Sequence, residues 1–430
     1  MDAKQKTGAA SRREFIKTSS IAGGALAAAA LMSKAYAAGG DTIKIGWIGC
    51  GSRGSGAAKQ ALLADKNVKL VATGDAFKDR METSLATLKK EEKLAEKIDV
   101  PPERQFIGFD AYKKVIDSDV DVVLLTTPPG FRPEHLRYAI EKGKHVFAEK
   151  PVAVDGPGMR TVLAACEEAK KKKISIVSGL CWRYDTGTSD LVKHIHDGGL
   201  GELQAIQSSY NTTRLWSFAR KEGWSDMEYQ MRNWLYYSWL SGDFIVEQNI
   251  HSLDRCSWYM KGEIPTKVTS LGGRQSRTEE QYGHIFDHFA TMYEFANGSR
   301  IFNYCRQQAG ADTDVSDVIF GTKGRATWNG GNSTVTGEKP ASFTGNLGKA
   351  YQTEHDVLFA SIRKGEPVNN GDYMCRSTMM AIIARMSAYT GSALTWEKAM
   401  NSQEDLFPKT LEFGKLDFPP VARPGFTKFV

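Results

Sequence analysis

One short stretch of the chain concentrates side chains that can move protons. In "SGDFIVEQNIHSLDR", Glu247 and His251 are four residues apart, and Asp254 follows three residues later. Residues at these spacings share one side of an α-helix, so the pattern predicts a helical face with two carboxylates and an imidazole. An imidazole titrates near neutral pH, which makes His251 a candidate general acid or base. A surface helix with incidental charges is the alternative.

A second candidate group follows an apolar run. Lys150 lies in "KHVFAEKP", directly after a predicted buried strand and before a proline. A partly buried lysine can exchange a proton near neutral pH, so Lys150 is a candidate catalytic residue. The alternative is a surface lysine that pairs with its neighbour Glu149.

A glycine-rich loop follows the first predicted strand. In "GCGSRGSG", the residues Gly49, Gly51 and Gly54 have GxGxxG spacing, and Ser52 and Arg53 lie between them. The loop ends a strand and opens a helix, which is the context in which such glycines let a backbone approach a pyrophosphate. The sequence therefore predicts a dinucleotide-binding loop, with a plain strand–helix turn as the alternative.

An acidic residue at the end of the second predicted strand fits the same interpretation. Asp75 closes "VKLVATGD", 26 residues after Gly49, close to where a carboxylate accepts the adenine-ribose hydroxyls. A carboxylate there would repel a 2′-phosphate, so the expected cofactor is NAD rather than NADP. Arg53 and Lys78 nearby weaken that preference, and Asp75 could also be a simple turn residue.

The elements that must position these groups alternate over residues 42–178. Five strand-like runs are separated by helical patterns, which predicts right-handed crossovers and a parallel Rossmann sheet. The runs are "IKIGWIG", "VKLVATGD", "VDVVLLTTPP", "KHVFAEKP" and "ISIVSGL".

The pattern changes over residues 179–345. Long alternating strands separated by turn residues predict an open, mostly antiparallel sheet with one covered face, so the fold class is α/β with two different domains. "ANGS" predicts a hairpin with a tight primed turn, and "PASFTGNLGKA" is interpreted as a loop. Residues 346–430 are expected to pack back on both domains.

Composition narrows the class of protein. The 430 residues suffice for two domains, and 41% hydrophobic with 25% charged residues is typical of a soluble globular chain. A net charge of +6 without a basic stripe argues against a nucleic-acid partner. The six cysteines have no metal-ligand spacing and are expected to be reduced and buried. His284 and His288 are assigned to one face of a strand, and with no third ligand we expect no metal.

The N-terminal residues resemble an export signal. Arg12 and Arg13 form a twin arginine, an apolar run covers residues 21–32, and Ala35-Tyr36-Ala37 has cleavage-site spacing. Residues 1–37 are therefore interpreted as a twin-arginine signal peptide that directs the folded protein, through the export machinery, to the periplasm or outside the cell. The apolar run is short for a bilayer span, so a membrane anchor is the disfavoured alternative.

Taken in order, these motifs resemble the Gfo/Idh/MocA family of NAD(P)-dependent oxidoreductases. The resemblance rests on the glycine loop, "TTPPGFRPEHLRYAIEKGKHVFAEKP", "WRYD" and "GDFIVEQNIHSLD". It implies that Lys150 lies beside the nicotinamide and that His251 is the family's histidine. Glu247 stands where the family usually has aspartate, and Asn249 where it has glycine. Glu247 is carried as a third catalytic candidate that could hold an imidazole nitrogen or bind a sugar hydroxyl.

The remaining site residues follow from the resemblance and from residue type. Besides the glycine loop, Asp75 and Lys150, the expected cofactor contacts are Thr127, Pro128, His135 and Glu149. The expected substrate contacts include Arg183 and Tyr184, in a loop that the resemblance places beside cofactor and substrate, and the aromatic residues Trp234 and Tyr237. Asp254 is added because its spacing places it on the side of the predicted helix that carries His251. Arg183 could instead pair with Asp185, and core packing is the alternative for each aromatic residue of the segment 210–239.

The expected function is oxidation of a secondary hydroxyl, at C3, of a sugar or glycoside, with tightly bound NAD. One alternative is an NAD-dependent glycoside hydrolase that uses transient oxidation and elimination. A second alternative is a sugar-binding protein without catalysis. The open sheet is expected to form a homo-oligomer interface.

Overall fold

The computed structural model describes residues 41–430, so the predicted signal peptide over residues 1–37 lies outside the described residues. The first sheet has six parallel strands in the order β3-β2-β1-β4-β5-β6. Its strands are β1 (Ile43–Ile48), β2 (Val68–Asp75), β3 (Gln105–Ile107), β4 (Val122–Leu125), β5 (His145–Ala148) and β6 (Ile176–Ser178).

Helices cover both faces of this sheet, which is why β4 is buried along its whole length. They are α1 (Ser52–Ala64), α2 (Lys78–Lys89), α3 (Glu92–Ala95), α4 (Ala111–Asp117), α5 (Arg132–Glu141) and α6 (Gly156–Lys172). The strand order reverses between β1 and β4, and a ligand crevice is expected outside the carboxyl ends of the strands at such a point. The predicted Rossmann domain is confirmed.

The second sheet has eight strands in the order β14-β13-β12-β11-β7-β10-β9-β8. Every pairing is antiparallel except that of β7 with β10, so the prediction of a mostly antiparallel sheet is confirmed. The strands are β7 (Leu203–Thr212), β8 (Lys267–Gly273), β9 (His288–Glu294), β10 (Arg300–Gln307), β11 (Asp314–Gly321), β12 (Gly324–Asn329), β13 (Asn332–Gly337) and β14 (Ala341–Phe343).

The remaining helices of the described chain are α7 (Thr186–His196), α8 (Asp226–Arg232), α9 (Ser238–Ser241), α10 (Phe244–Glu247), α11 (Ile250–Tyr259), α12 (Leu347–Lys364), α13 (Gly371–Thr390) and α14 (Trp396–Met400). Of these, α7, α11 and α13 pack on one face of the second sheet. Helix α11 packs on β7, β11 and α13, and α13 packs on β8. The other face exposes large side chains, among them Leu271, Tyr304 and Phe320.

Four local predictions are wrong, each for a physical reason. Strand β3 was missed because three residues at a sheet edge give no periodic signal, and "PASFTGNLGKA" contains the edge strand β14. The "ANGS" hairpin exists, but only Gly298 has a positive φ, so its turn is not a two-residue primed turn. His284 precedes β9 and bonds Ser238 Oγ at 2.8 Å instead of sharing a strand face with His288.

The C-terminal elements contact both halves of the molecule. Helix α12 packs against α1, β5 and β6, whereas α13 contacts α6, α10 and α11.

All six cysteines are buried with free thiols. Within residues 41–430, no helix combines the length and the apolar character needed to cross a bilayer.

Candidate active site

A cavity opens at the carboxyl ends of β1, β2, β4 and β5. Its volume is ≈ 540 Å³, and α10, α11 and the aromatic segment after β7 close it from the other side. The glycine loop, Asp75, Lys150, Glu247 and His251 all contribute to its walls. These candidates from the sequence therefore lie together where the strand order of the first sheet reverses.

The conformation of the glycine loop lets a ligand approach its backbone closely. Gly49 has φ +93°, which side chains rarely adopt, and Gly54 packs so tightly that an added Cβ would lie 2.1 Å from the Gly49 carbonyl oxygen. Ser52 begins α1, whose free N–H groups and partial positive charge face the cavity. This loop therefore fits the pyrophosphate of a dinucleotide.

Asp75 is held in the position expected of a ribose ligand. Its two carboxylate oxygens accept the backbone N–H groups of Cys50, at 2.6 Å, and Phe77, at 2.8 Å. Burial raises the pKa of the Asp75 carboxyl. Arg80, rather than Lys78, lines the cavity beside it. Each oxygen keeps a further lone pair for a hydroxyl, so Asp75 fits the adenine ribose of NAD.

Arg53 joins the loop to two buried carboxylates instead of standing free. Its guanidinium donates to Glu149 and, at 3.0 Å, to Glu354 of α12. Burial and the neighbouring Glu149 charge raise the pKa of Glu354 well above its usual value. Burial opposes ionisation of Glu149, yet the charges of Arg53 and Lys150 hold its pKa below the usual value. Glu149 thus positions Arg53 and the loop.

Lys150 and Glu247 meet across the boundary between the two sheets. Lys150 Nζ donates to the Glu247 side chain and to the Glu247 backbone carbonyl, both at 2.6 Å. The second carboxylate oxygen of Glu247 accepts from the side-chain amide of Gln248. The acid therefore anchors the lysine ammonium within the cavity wall.

His251 lies at the start of α11 and lines the same cavity. The predicted single helix through Glu247 and His251 is interrupted at Gln248–Asn249, so α10 carries the acid and α11 the histidine. The ring packs on Trp182 with centroids 4.8 Å apart, and its buried Nδ1 has no hydrogen-bond partner among the described residues. Burial, followed by the positive charges of Lys150 and Arg255, lowers the pKa of His251 well below 6.5. The imidazole is neutral at neutral pH.

The other predicted cofactor residues also lie in the cavity wall. Thr127 and Pro128 follow β4, and His135 of α5 stacks on Tyr112 with ring centroids 4.1 Å apart. Burial lowers the pKa of His135 to about 3, with a further contribution from Arg132, so this ring is neutral as well.

Aromatic side chains form much of the wall opposite the glycine loop. Trp216, Phe218 and Trp234 line it together with Trp182 and Tyr210. Aromatic faces of this kind pack against the C–H faces of rings while their polar tips bond hydroxyls. Of the predicted substrate residues, Trp234 is the one that the structure places in the cavity wall.

The other four predicted substrate residues do not line this cavity. Arg183 pairs with Asp254 at 2.8 Å, so neither the substrate role of these two residues nor the alternative pair with Asp185 matches the structure. Tyr184 donates to Asn370 at 3.0 Å. Tyr237 is buried against Phe418, where it serves the core.

Sequence reasoning missed several wall residues. Arg132 is buried and donates to the carbonyls of Leu125 and Thr127, both at 2.6 Å, which fixes the loop after β4. Trp182 stands inside the quoted "WRYD", so its motif pointed to it, although its neighbours were chosen. Tyr351 comes from α12, far along the chain, and no local signal could have assigned it to the site.

Comparison with protein families shows which family of Rossmann-fold proteins this chain belongs to. Residues 43–177 match the profile "Oxidoreductase family, NAD-binding Rossmann fold", and residues 189–327 match "GFO/IDH/MocA C-terminal domain". The chain belongs to the Gfo/Idh/MocA family. It is therefore an oxidoreductase with an NAD-binding Rossmann domain, and the glycine loop and Asp75 fit that cofactor.

Curated relatives share about a quarter of aligned residues. A scyllo-inositol 2-dehydrogenase (NAD+) of Bacillus subtilis is 25% identical over 330 residues, which are 75% of this chain and 85% of the relative. A 2,7-anhydro-N-acetylneuraminate hydratase of Escherichia coli is 27% identical over 46% of this chain and 48% of the relative. A glycosyl hydrolase family 109 protein of Bacteroides thetaiotaomicron is 26% identical over 50% of this chain and 44% of the relative. The chain spans about half of the last two proteins.

A solved structure shows the same architecture. A levoglucosan dehydrogenase in complex with NADH and levoglucosan superposes with a TM-score of 0.64, at 19% identity, over 83% of this chain and 99% of that chain. At this level of identity the likeness concerns the fold alone.

Proposed function

We propose that this protein oxidises a secondary hydroxyl of a sugar or glycoside with NAD, and C3 is the carbon we favour. The observation that carries the proposal is the contact of Lys150 Nζ with Glu247 in the cavity wall, next to a neutral His251. The aromatic wall suits a ring-shaped polyhydroxy substrate. Support also comes from the inositol dehydrogenase relative, whose named substrate is a cyclic polyol.

Three side chains of the cavity wall have separate proposed roles in binding the substrate oxygen and transferring its proton. NAD, when bound, accepts the hydride from the carbinol carbon. The Lys150 ammonium holds the substrate oxygen and stabilises the negative charge that develops on it. The neutral His251 imidazole takes the hydroxyl proton. Glu247 already binds Lys150 and Gln248, so its first role is to orient the lysine, and its remaining lone pairs can accept a substrate hydroxyl.

The test begins with identification of the cofactor by mass spectrometry after denaturation of the purified protein. NADH formation is then measured with inositols, free sugars, levoglucosan and methyl glycosides. Lys150→Met and His251→Asn should each reduce turnover by about 10²–10⁴-fold, and Lys171→Met, a surface change, should leave it intact. Unchanged turnover in both site variants would reject the assignment of the site.

A second candidate function is glycoside hydrolysis by transient oxidation, and the glycosyl hydrolase family 109 relative favours it. A ketone on the sugar ring acidifies the neighbouring C–H, and a base then removes that proton as the C1 substituent leaves with its bonding electrons. Addition of water to the resulting double bond and return of the hydride to the ketone would complete the hydrolysis. Glu247 is the second base available for this step. Release of nitrophenol from nitrophenyl glycosides without an added acceptor would select hydrolysis, whereas a keto-sugar product without release would select oxidation.

Export in the folded state is part of the proposal. The twin arginine Arg12–Arg13 supports the twin-arginine route, and an enzyme outside the cytoplasm has no nicotinamide pool, so we propose that NAD is retained through turnover. Arg12→Lys combined with Arg13→Lys should keep the protein in the cytoplasmic fraction. Export of that variant at the normal level would contradict the assignment.

A homo-oligomer through the outer face of the second sheet also remains a proposal. The exposed side chains of Leu271, Tyr304 and Phe320 support it, because apolar surface of this kind is often covered by a partner. Light scattering of the purified protein, with Leu271→Glu as the disrupting variant, tests this idea.

A further inference from the structure

A second cavity, distinct from the active site, collects positive charge. Its volume is ≈ 300 Å³, and it lies between the end of α11, the turn that follows, the end of α7 and one face of α13. Four basic side chains from separate elements converge on it, and we refer to it as the basic cavity. They are Arg183, His196, Lys261 and Arg376.

The charges around the basic cavity do not balance. Arg183 is neutralised by Asp254, which also accepts the Ser377 hydroxyl at 2.7 Å. Lys261 Nζ donates to the His196 carbonyl at 3.4 Å and forms no ion pair within the described residues. For Arg376, neither an ion pair nor a hydrogen bond is found within residues 41–430. Two cations therefore face the basic cavity without a carboxylate partner.

A buried hydroxyl in the same wall points to a ligand independently of the charges. Ser257 of α11 is 1% exposed, and its Oγ has no hydrogen-bond partner among the described residues. An unpaired buried polar group is unfavourable, so native structures nearly always satisfy it with a partner or a bound molecule. Ser257 lines the basic cavity and can donate to an acceptor held there.

The turn after α11 allows Arg376 to lie close to Lys261. Gly262 has φ +77°, and a Cβ at this position would lie 2.2 Å from Arg376 Nη1. Glycine therefore lets the guanidinium lie against the turn that carries Lys261. The indole of Trp258 forms another part of the wall.

We propose that the basic cavity binds an oxyanion, phosphate or sulfate, either free or carried on a small molecule. Arg376 and Lys261 supply charge-assisted hydrogen bonds, and the Ser257 hydroxyl donates a third. This site is separate from the active-site cavity, and its occupancy does not depend on the oxidation reaction.

The experiment is isothermal titration calorimetry of the full protein, saturated with NAD so that the dinucleotide site is filled. The probes are sodium phosphate, sodium sulfate and glucose 6-phosphate, at an ionic strength held constant with chloride. We expect saturable binding that Arg376→Gln weakens at least about tenfold. Arg325→Gln, a change of the same charge at an exposed position of β12, should leave binding unchanged. Tighter binding of glucose 6-phosphate would identify a phosphorylated molecule as the ligand, and equal binding a free anion.

A second variant keeps the proposal testable if Arg376→Gln folds poorly. Ser257→Ala removes the unpaired hydroxyl, so its melting temperature in chloride buffer should equal or exceed that of the wild type. The gain in melting temperature that phosphate gives the wild type should be reduced in this variant. Equal affinities in Arg376→Gln and Arg325→Gln, or an undiminished phosphate gain in Ser257→Ala, would overturn the proposal. Neither measurement uses turnover, so the proposed oxidation can fail without affecting them.

Discussion

His251 owes its proposed role to its surroundings more than to its type. Burial and the charges of Lys150 and Arg255 lower its pKa well below 6.5, so protonation requires a more acidic solution than for an exposed histidine. We expect kcat/KM for oxidation to rise with pH through an apparent pKa below 6.5 and then stay level across neutral pH. A pH–rate profile of the wild type checks this, and the acid limb should be absent from the residual activity of His251→Asn. An acid limb at or above pH 6.5 would contradict a neutral, buried base.

Glu247 allows the role of the longer acid to be measured. Glu247→Gln keeps the shape but removes the charge that anchors Lys150 Nζ at 2.6 Å, whereas Glu247→Asp shortens the arm by one methylene. If the carboxylate orients the lysine, both changes should lower kcat by about 10–100-fold with a smaller effect on KM. Steady-state kinetics separate the two parameters. A change confined to KM would make Glu247 a substrate ligand alone.

The residue types of this site were readable from the sequence, but their partners were not. The four-residue spacing predicted that Glu247 and His251 share a helix face, yet the helix breaks between them and the acid turns to Lys150. Asp254 was assigned to substrate from the same spacing, and it pairs with Arg183 instead. Spacing along a helix gives the direction of a side chain only while the helix continues.

At the scale of elements, the junction of β1 and α1 depends on glycine. Gly54→Ala would place a Cβ 2.1 Å from the Gly49 carbonyl oxygen, so the helix must move away from the strand. We expect a loss of about 1–3 kcal/mol in the free energy of unfolding together with loss of NAD binding. Gly56→Ala is the matched control, because its Cβ would meet only Arg53 Nη1, at 3.2 Å, a contact that a shift of a few tenths of an ångström relieves. It should be neutral or stabilising by up to about 1 kcal/mol. Urea denaturation and NAD titration of both variants check this prediction. Equal free energies of unfolding and equal NAD affinities in Gly54→Ala and Gly56→Ala would contradict it.

The elements that the sequence predicted are those with long, regular patterns. The buried strands β1, β2 and β4 are mostly apolar runs, and α1 begins at the glycine loop. The missed elements, β3 and β14, are three-residue edge strands that exist because a neighbouring strand offers hydrogen bonds. Such pairing is a tertiary property, and local sequence carries little trace of it.

At the scale of the whole molecule, residues 401–430 form an extended segment that contains no helix or strand and crosses the surface near the cavity. A segment without periodicity gives no sequence signal for where it docks. Phe413 contacts Phe77 and Phe109, with ring centroids 5.7 and 4.9 Å apart, and both partners line the cavity beside Asp75. The ring therefore covers the rim at the adenine-ribose end of the predicted NAD site.

This contact makes NAD retention testable. Phe413→Ala removes the aromatic cover, so we expect NAD to dissociate about tenfold faster while the catalytic residues stay in place. Phe426→Ala is the matched control, because this phenylalanine of the same segment is 69% exposed and does not line the cavity. The measurement is the loss of bound NAD after rapid dilution, followed by mass spectrometry, alongside single-turnover oxidation of the retained fraction. If both variants release NAD at the wild-type rate, the C-terminal segment has no part in retention. If Phe413→Ala alone slows the single turnover without releasing NAD, the segment instead shapes the site around the bound cofactor.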